Sequence, residues 1–589
     1  MIRSTALICV AMVSGAALYG QTGGPPDTVL QAMRDELKHS RTLEKVNLEK
    51  AYFISYEMED GEVLAASAVM GGLVSSTNTP FRVPRIQVRV GDYQFDNTNY
   101  VGSGFNSGSR YDIDRFPIED LYAVLRRFLW LATDQGYKAS VEAIARKRAA
   151  LKNMTAGEEI PDFAKAEPVR LIETAPASNL DSQAWLARLR SLSAIFTGFP
   201  RVLSSNVELQ AIKNVRRLAT SEGTEVRTPE DVMFLRVRGV GQAPDGMQVR
   251  DSMVIHTHKF DRMPAEAELA REVRRVAENI TALSAAGVGD TYNGPVLFEG
   301  VASAQLFAAL LGRNLVLTRK PVNEPGRPSA FPMSELEGRK ESRVLPEWMD
   351  VVDDPTQSEW RGRPLFGNYK VDYEGVPAKP LAIVEKGMLL NFLLTRQPVR
   401  GYAASNGRAR LPGAFGANTA AISNLIVRAS QTAPLADLRK KLLEICQARN
   451  QKYGIVVRKL DFPSSAAIDE LRRLMAINSR DGGSSHPAAV PLLIYKVFPD
   501  GKEELIRGVR FRDLNVRSLR DIRAAGNDSS VLDYLENAAP LAVMGAGNYA
   551  AECSVVAPSV LVDDMEIRKV DEEQPKLPIV PPPLGIADK

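Results

Sequence analysis

The apolar positions of this chain change period several times, and the changes outline its elements. Val29, Met33 and Leu37 recur every four residues, so residues 29–40 are expected to form a helix. Residues 51–58 alternate apolar and polar side chains like a strand. Asp60-Gly61 is a turn signal, 63–74 resumes as strand, 75–79 is a polar loop, and 85–90 alternates before a turn at Gly91-Asp92. An antiparallel sheet therefore follows the first helix. Residues 117–153 carry the longest helical signal, with Leu121, Leu125, Phe128, Leu129, Leu131 and Ala132 on one broad face. Gly136 is expected to divide it from a basic helix over 139–152, which reads as a solvated face. Further helices are expected over 182–197 and 265–286, with strands over 202–210, 225–239 and 251–258 between them.

Residues 291–316 hold the most unusual pattern. A turn at Asn293-Gly294 precedes Val296-Leu297-Phe298, an apolar run that ends at Glu299. From Gly300, apolar residues recur at three and four until Gly312 closes the run. A carboxylate in so apolar a segment is costly to bury unless paired or protonated. Glu299 is therefore either a catalytic or ligand-holding residue or the partner of one of the many arginines. Downstream, strands are expected over 349–352, 369–373, 381–385, 388–394, 425–428, 490–497, 502–511 and 556–567. Lys386-Gly387 makes a hairpin turn, 401–417 and 480–486 are loops, and 435–451 and 469–477 are helices.

At 589 residues the chain fits two to four domains. Its 74 basic and 71 acidic side chains nearly cancel, which argues against a nucleic-acid binder that works by neutralising phosphates. Met1-Ile2-Arg3, the apolar run 6–13 and the small residues of 14–20 have the form of a secretory signal cleaved within 17–22. That run is too short for a permanent membrane helix, and no later stretch is long and apolar enough. The expected location is periplasmic or extracellular. The expected divisions are a signal peptide over 1–22, an N-terminal domain over 23–260, a central helix and C-terminal domain over 261–568, and a Pro-rich tail over 569–589. After cleavage Cys446 and Cys553 remain, so one disulfide is possible and a disulfide framework is excluded.

Little of the usual catalytic equipment is present. Met544–Ala550 has the spacing of a phosphate-binding turn but lacks a βαβ unit behind it. There is no P-loop, no GxSxG elbow and no CxxC pair. His256 and His258 would share one face of a strand, as a metal pair or as a half-exposed strand face. Asp353-Asp354 and Asp372/Glu374 read as turn formers.

The C-terminal half nevertheless carries an ordered set of motifs. These are MDVVDDPT (349–356), WRGRPLFGNYKVDYEGVPAKPLAIVEKGML (360–389), SNGRARLP (405–412) and a final strand APSVLVDDMEI (557–567). In this order they resemble the TldD/PmbA family of peptidase-related proteins, and RVGDYQFDNTNYVG (89–102) fits that family's first domain. The resemblance implies a two-domain α+β fold, with an N-terminal helix and antiparallel sheet and a mostly β C-terminal domain. Active members carry HExxxH on a helix and a cysteine before the last strand, which together hold a zinc that activates water. Here that motif falls on Phe298-Glu299-Gly300-Val301-Ala302-Ser303. Glu299 stands at the general-base position, while Phe298 and Ser303 replace the two histidines. The family's cysteine is expected near residues 544–547, so equating it with Cys553 needs a shift. Members without the motif pair with a motif-bearing partner. The implied function is a secreted, non-catalytic subunit or scaffold of a metallopeptidase assembly without zinc, binding peptides or a related subunit as a homo- or heterodimer. The competing expectation is an active peptidase whose atypical metal site combines Glu299 with His256 or His258.

Overall fold

The computed structural model describes residues 27–42, 49–101, 108–111, 116–152, 159–175, 180–323, 333–412, 417–465, 467–480, 489–537 and 550–572, with residues 574, 578 and 580. The segment 1–22, the turn at 544–549, nearly all of the loop 480–486 and most of the tail lie outside the described residues. No helix of the described residues is long and apolar enough to cross a membrane.

The chain opens with α1 (Thr28–Ser40), as its four-residue spacing predicts. Asp27 caps it by accepting the Leu30 N–H at 2.8 Å. Then come two strands longer than the sequence suggests, β1 (Ala51–Val69) and β2 (Gly72–Val90), paired antiparallel along their length. Asp60-Gly61 does not turn the chain. It lies inside β1, which is paired on its other edge by β3 (Val202–Thr220). A Cβ at Gly61 would lie 1.7 Å from the Lys213 carbonyl oxygen, so glycine is required there for close strand approach. Asp60 pairs with Arg82 and Arg217. The turn falls instead at Met70-Gly71, both at positive φ, and the polar stretch 75–79 is part of β2. The strands β4 (Val232–Gln242) and β5 (Gln248–Thr257) extend this eight-stranded sheet from β3.

The second helix, α2 (Tyr122–Leu151), runs unbroken through Gly136. A Cβ there would meet Val88 Cγ2 at 3.2 Å, so this glycine brings the helix close to the sheet and does not break it. α1 and α2 cover the even-numbered side of β1 and β2 through Ile54, Tyr56, Met58, Ile86 and Val88. The helices α3 (Ser182–Ala194) and α4 (Glu266–Ala285) cover the same side farther along, over Leu64, Ala66, Leu209 and Leu235. The opposite side, at Phe53, Ser55, Glu57 and Glu59 of β1, is turned toward the second half of the chain.

That half has two sheets around one helix. In the first of them β6 (Tyr292–Phe298) lies between β10 (Gly454–Asp461), parallel to it, and β14 (Val560–Lys569), antiparallel. The other contains β7 (Met349–Asp353), β8 (Leu381–Glu385), β9 (Asn424–Ala429), β12 (Ser530–Glu536) and β13 (Ala551–Ala557). α5 (Val301–Leu310) is enclosed between them, which explains why it is apolar all round and lacks a polar face. The outer face of the β6 sheet is covered by α6 (Leu435–Ala448), while α7 (Ile468–Arg480) follows β10 and β11 (Val490–Val497) adjoins it. The α+β architecture expected from the sequence is thus present.

Several local expectations fail for identifiable reasons. Residues 369–373 form no strand, because their backbone groups close a turn onto residues 376–378 and reach the Pro355 and Ala409 carbonyls singly, without a continuous ladder. The run 502–511 is cut at Gly508, which has φ of 69°, and 556–567 is cut at Pro558-Ser559 where the chain passes from β13 into β14. The segment expected as a loop over 401–417 includes a short strand, Ala409–Pro412, paired with Asn418–Ala420.

Candidate functional site

The strand β6 delivers Phe298 and Glu299 consecutively, so their side chains leave on opposite faces of the sheet. Phe298 is fully buried on the α5 side, 5.8 Å from the Phe511 ring. Glu299 emerges on the α6 side. Arg439 of α6 donates to both its oxygens, at 2.6 and 2.8 Å, and Arg458 donates to Oε2 at 3.0 Å. Both arginines also reach Glu503, at 3.3 and 2.7 Å. Ser303 is fully buried on the first turn of α5 and donates its hydroxyl to the Pro558 carbonyl at 2.6 Å. Of the three motif positions, then, one has no metal-donor atom, one has its hydroxyl hydrogen committed to a backbone carbonyl, and one carries a carboxylate neutralised by two guanidiniums. This set does not fit zinc.

Cys553 offers no substitute. It lies in the interior on β13 with Sγ 3.2 Å from the Ile422 carbonyl, and burial pushes its thiol well above the ordinary value. Cys446, on α6, has Sγ 3.7 Å from the Tyr292 hydroxyl. Both cysteines are free and buried, so the possible disulfide is not formed.

Nor do the two histidines converge with Glu299. They lie at the end of β5 against Phe366, with ring centroids 4.9 Å (His256) and 4.7 Å (His258) from it. Both nitrogens of His258 face backbone carbonyls, those of Asp231 at 3.1 Å and Phe366 at 2.9 Å. His256 is wedged between Phe234 and Phe366, and burial lowers its pKa to about 3, so it stays neutral. Among the described residues no three His, Cys, Asp or Glu side chains converge as a metal site.

The motifs of the C-terminal half do converge, on a buried polar network. Arg408 of SNGRARLP and Asp353 of MDVVDDPT are both wholly inaccessible and paired at 2.6 Å. Arg408 also donates to the carbonyls of Asn406, Asp353 and Lys379, while Asp353 accepts the Ser423 N–H and hydroxyl. Asp354 does form the expected turn, accepting from Thr356, but Asp353 is an interior ion-pair anchor. Asp372 holds its own turn through the N–H groups of Glu374 and Val376, then reaches across to the N–H of Ala409. Burial and the neighbouring Glu374 push its carboxyl up to about 7. Glu374 accepts from the Arg396 N–H at 2.5 Å and from Asn418 at 3.2 Å. The turns at Asp354 and Asp372 are the expected ones, while the cross-contacts of Asp353, Asp372 and Glu374 were missed by sequence reasoning. The available signal was the coincidence of an Arg-rich loop with acidic strand ends in one interior-facing half.

This network meets the face of the first sheet that carries Phe53, Glu57 and Arg216. Arg216 of β3 donates to the carbonyls of Val371 and Asp372 and pairs with Glu230 at 2.6 Å. Arg85 of β2 reaches Asn418, and Arg396 pairs with Glu222 at 2.6 Å. A small cavity remains between the halves, lined by Phe53, Ser55, Glu57 and Arg85 from the first and by Tyr373, Glu374 and Asn418 from the second. Beside it, burial, then Glu230 and Glu57, push Glu59 up to about 8. A folded-state pKa above the unfolded one means that unfolding releases a proton. The associated stability is complete below about pH 4.5 and is lost as pH rises through about 8. Between those limits the wild type is expected to lose up to roughly 1.4 kcal/mol per pH unit from this group, less whatever solvent screening removes. Urea unfolding across this range should show a shallower decline for Glu59→Gln. An unchanged slope would show that Glu59 titrates alike in both states.

Residues 292–569 match the PmbA/TldA metallopeptidase C-terminal domain. A stretch of 78 residues is 37% identical to a metalloprotease of Archaeoglobus fulgidus, and it spans 13% of this chain and 17% of that relative. Among solved structures, a candidate modulator of a DNA gyrase from Thermotoga maritima superposes with a TM-score of 0.55 at 14% identity, over 87% of this chain and 96% of that one. TldE from Thermococcus kodakarensis superposes with a TM-score of 0.54 at 12% identity, over 91% and 100%. At such identities these likenesses speak for the fold, while the domain match and the convergent motifs speak for descent. The second half of the chain is thus a TldD/PmbA-type C-terminal domain, in a chain that shares the fold of these solved structures over most of its length.

Proposed function

We propose that this chain is a secreted, non-catalytic subunit or scaffold of a TldD/PmbA-type peptidase assembly, associating with a related subunit or holding peptides. The observation that carries this reading is the environment of Glu299. A general base needs a free lone pair aimed at an activated water. Here both carboxylate oxygens accept from Arg439, and Oε2 accepts from Arg458 as well. The groups at the histidine positions point into a core and at a carbonyl. The proposal of secretion is supported by the basic, apolar and small-residue order of residues 1–22.

The test is metal analysis and peptide hydrolysis on the purified mature chain, with Glu299→Gln beside the wild type. Neither protein is expected to hold stoichiometric zinc or to cleave peptides. The substitution should cost about 1 kcal/mol of stability, because the arginines are about one-third exposed and keep Glu503. A stoichiometric metal that Glu299→Gln releases would overturn the reading. Co-purification from the native host should recover a relative bearing HExxxH if the partner is a related subunit.

A further inference from the structure

The cavity between the halves has a chemical bias that the catalytic question does not touch. Glu57 is more than nine-tenths buried and lines it. Its Oε2 is 3.6 Å from Arg85, too far for a good hydrogen bond, and its Oε1 has no hydrogen-bond partner among the described residues. A buried acceptor without a donor costs about 1–3 kcal/mol. The neighbouring Glu59 on the same strand face also has an unpartnered Oε1. Glu374, across the gap, already accepts one hydrogen bond on each oxygen, from Asn418 and the Arg396 N–H.

The remaining walls narrow the occupant. Phe53, Phe163 and Tyr373 give aromatic walls whose rings already carry Arg396, Arg89 and Arg216, and Ser55 gives a hydroxyl. The space admits about one water-sized group. An anion is disfavoured, because Arg85 and Arg216 already face Asn418, Glu57, Glu230 and backbone carbonyls. A metal ion is disfavoured, because no three carboxylates converge among the described residues. A single water would bring donors without charge, whereas the unpartnered Glu57 carboxylate favours a compact cation that brings its own donors. A primary ammonium has three of them.

We propose that this cavity receives a primary ammonium group, with Glu57 Oε1 as the anchoring acceptor and the rest of the ligand extending out of the cavity. The direction of the Glu57 titration agrees, since burial raises its pKa and a neighbouring ammonium would return it to the charged form. Two sources share this chemistry, the amino terminus of a peptide and a lysine side chain.

Calorimetric titration of the full mature chain at neutral pH with trialanine, N-acetyl-trialanine and N-acetyl-lysine amide separates them. Trialanine is expected to bind and its acetylated form is not. Binding of the lysine amide alone assigns the cavity to lysine side chains and also supports the proposal. Glu57→Gln should weaken the bound amine by roughly tenfold or more. The wild-type comparison of free and acetylated peptide stands even if that variant folds poorly. Equal binding of the acetylated peptide, no binding of either amine, or undiminished binding to well-folded Glu57→Gln would overturn the proposal. So would a calcium ion that displaces the amine and is itself lost in Glu57→Gln.

Discussion

Arg408→Ala is expected to lower the stability of the chain by about 3–5 kcal/mol, the range for removing one partner of a buried ion pair. Neither Arg408 nor Asp353 has any exposed side-chain surface, so bulk water does not solvate the carboxylate in place of the guanidinium. The substitution leaves Asp353 charged in the interior with only the Ser423 N–H and hydroxyl to hold it. It also strips donors from the carbonyls of Asn406 and Lys379. The Asn406 carbonyl belongs to the loop that brings Ala409 to Asp372, so the damage should spread to the contact with the first sheet. Arg408→Lys should recover only part of the loss, because one ammonium cannot span the directions that the guanidinium fork serves. Urea denaturation followed by tryptophan fluorescence measures both variants. A cost below about 1 kcal/mol for the alanine would show that the pair is only a spectator of folding.

How much of this was legible in advance depends on which force places each residue. Amphipathic helices such as α1, α3 and α4 were legible, because one apolar face against a sheet leaves a period of about four. The turn at Asp60-Gly61 was not, since a glycine that lets two backbones approach looks in sequence like a glycine that reverses the chain. Gly136 misled for the same reason. The family was legible because motifs that fold into one polar network are spelled as recognisable pieces, including Asp353, Asp372, Glu374 and Arg408. Their partnerships were not, because an ion pair between residues 55 positions apart leaves no periodic trace. Glu299 was recognised as an anomaly, and pairing with arginine was one of its two readings. Which of the arginines would serve depended on α6 and β10 being brought to the end of β6, and only the fold supplies that.

Restoring the two missing histidines is expected to fail as a restoration of zinc binding. Phe298→His places an imidazole at a position with no accessible surface, among apolar neighbours and against the Phe511 ring. The lost aromatic packing and the buried, unpaired ring nitrogens should together cost about 3–5 kcal/mol. Ser303→His adds a ring where a small hydroxyl now meets the Pro558 carbonyl, and overpacking of this kind costs a further 1–3 kcal/mol or so. Even a chain that tolerated both changes would hold Glu299 on the other face of the sheet, between Arg439 and Arg458. The double variant should therefore be markedly destabilised, take up no stoichiometric zinc and cleave no peptide, and a third substitution, Arg439→Ala, should not rescue it. Thermal unfolding with and without added zinc gives the decisive comparison, since a site that forms on folding raises stability as metal is added. Saturable stabilisation by zinc, together with new peptide hydrolysis abolished by Glu299→Gln, would mean that the segment from Phe298 to Ser303 retains an active arrangement within reach. Its absence would place the loss of chemistry in the surroundings of Glu299 as much as in the two missing ligands.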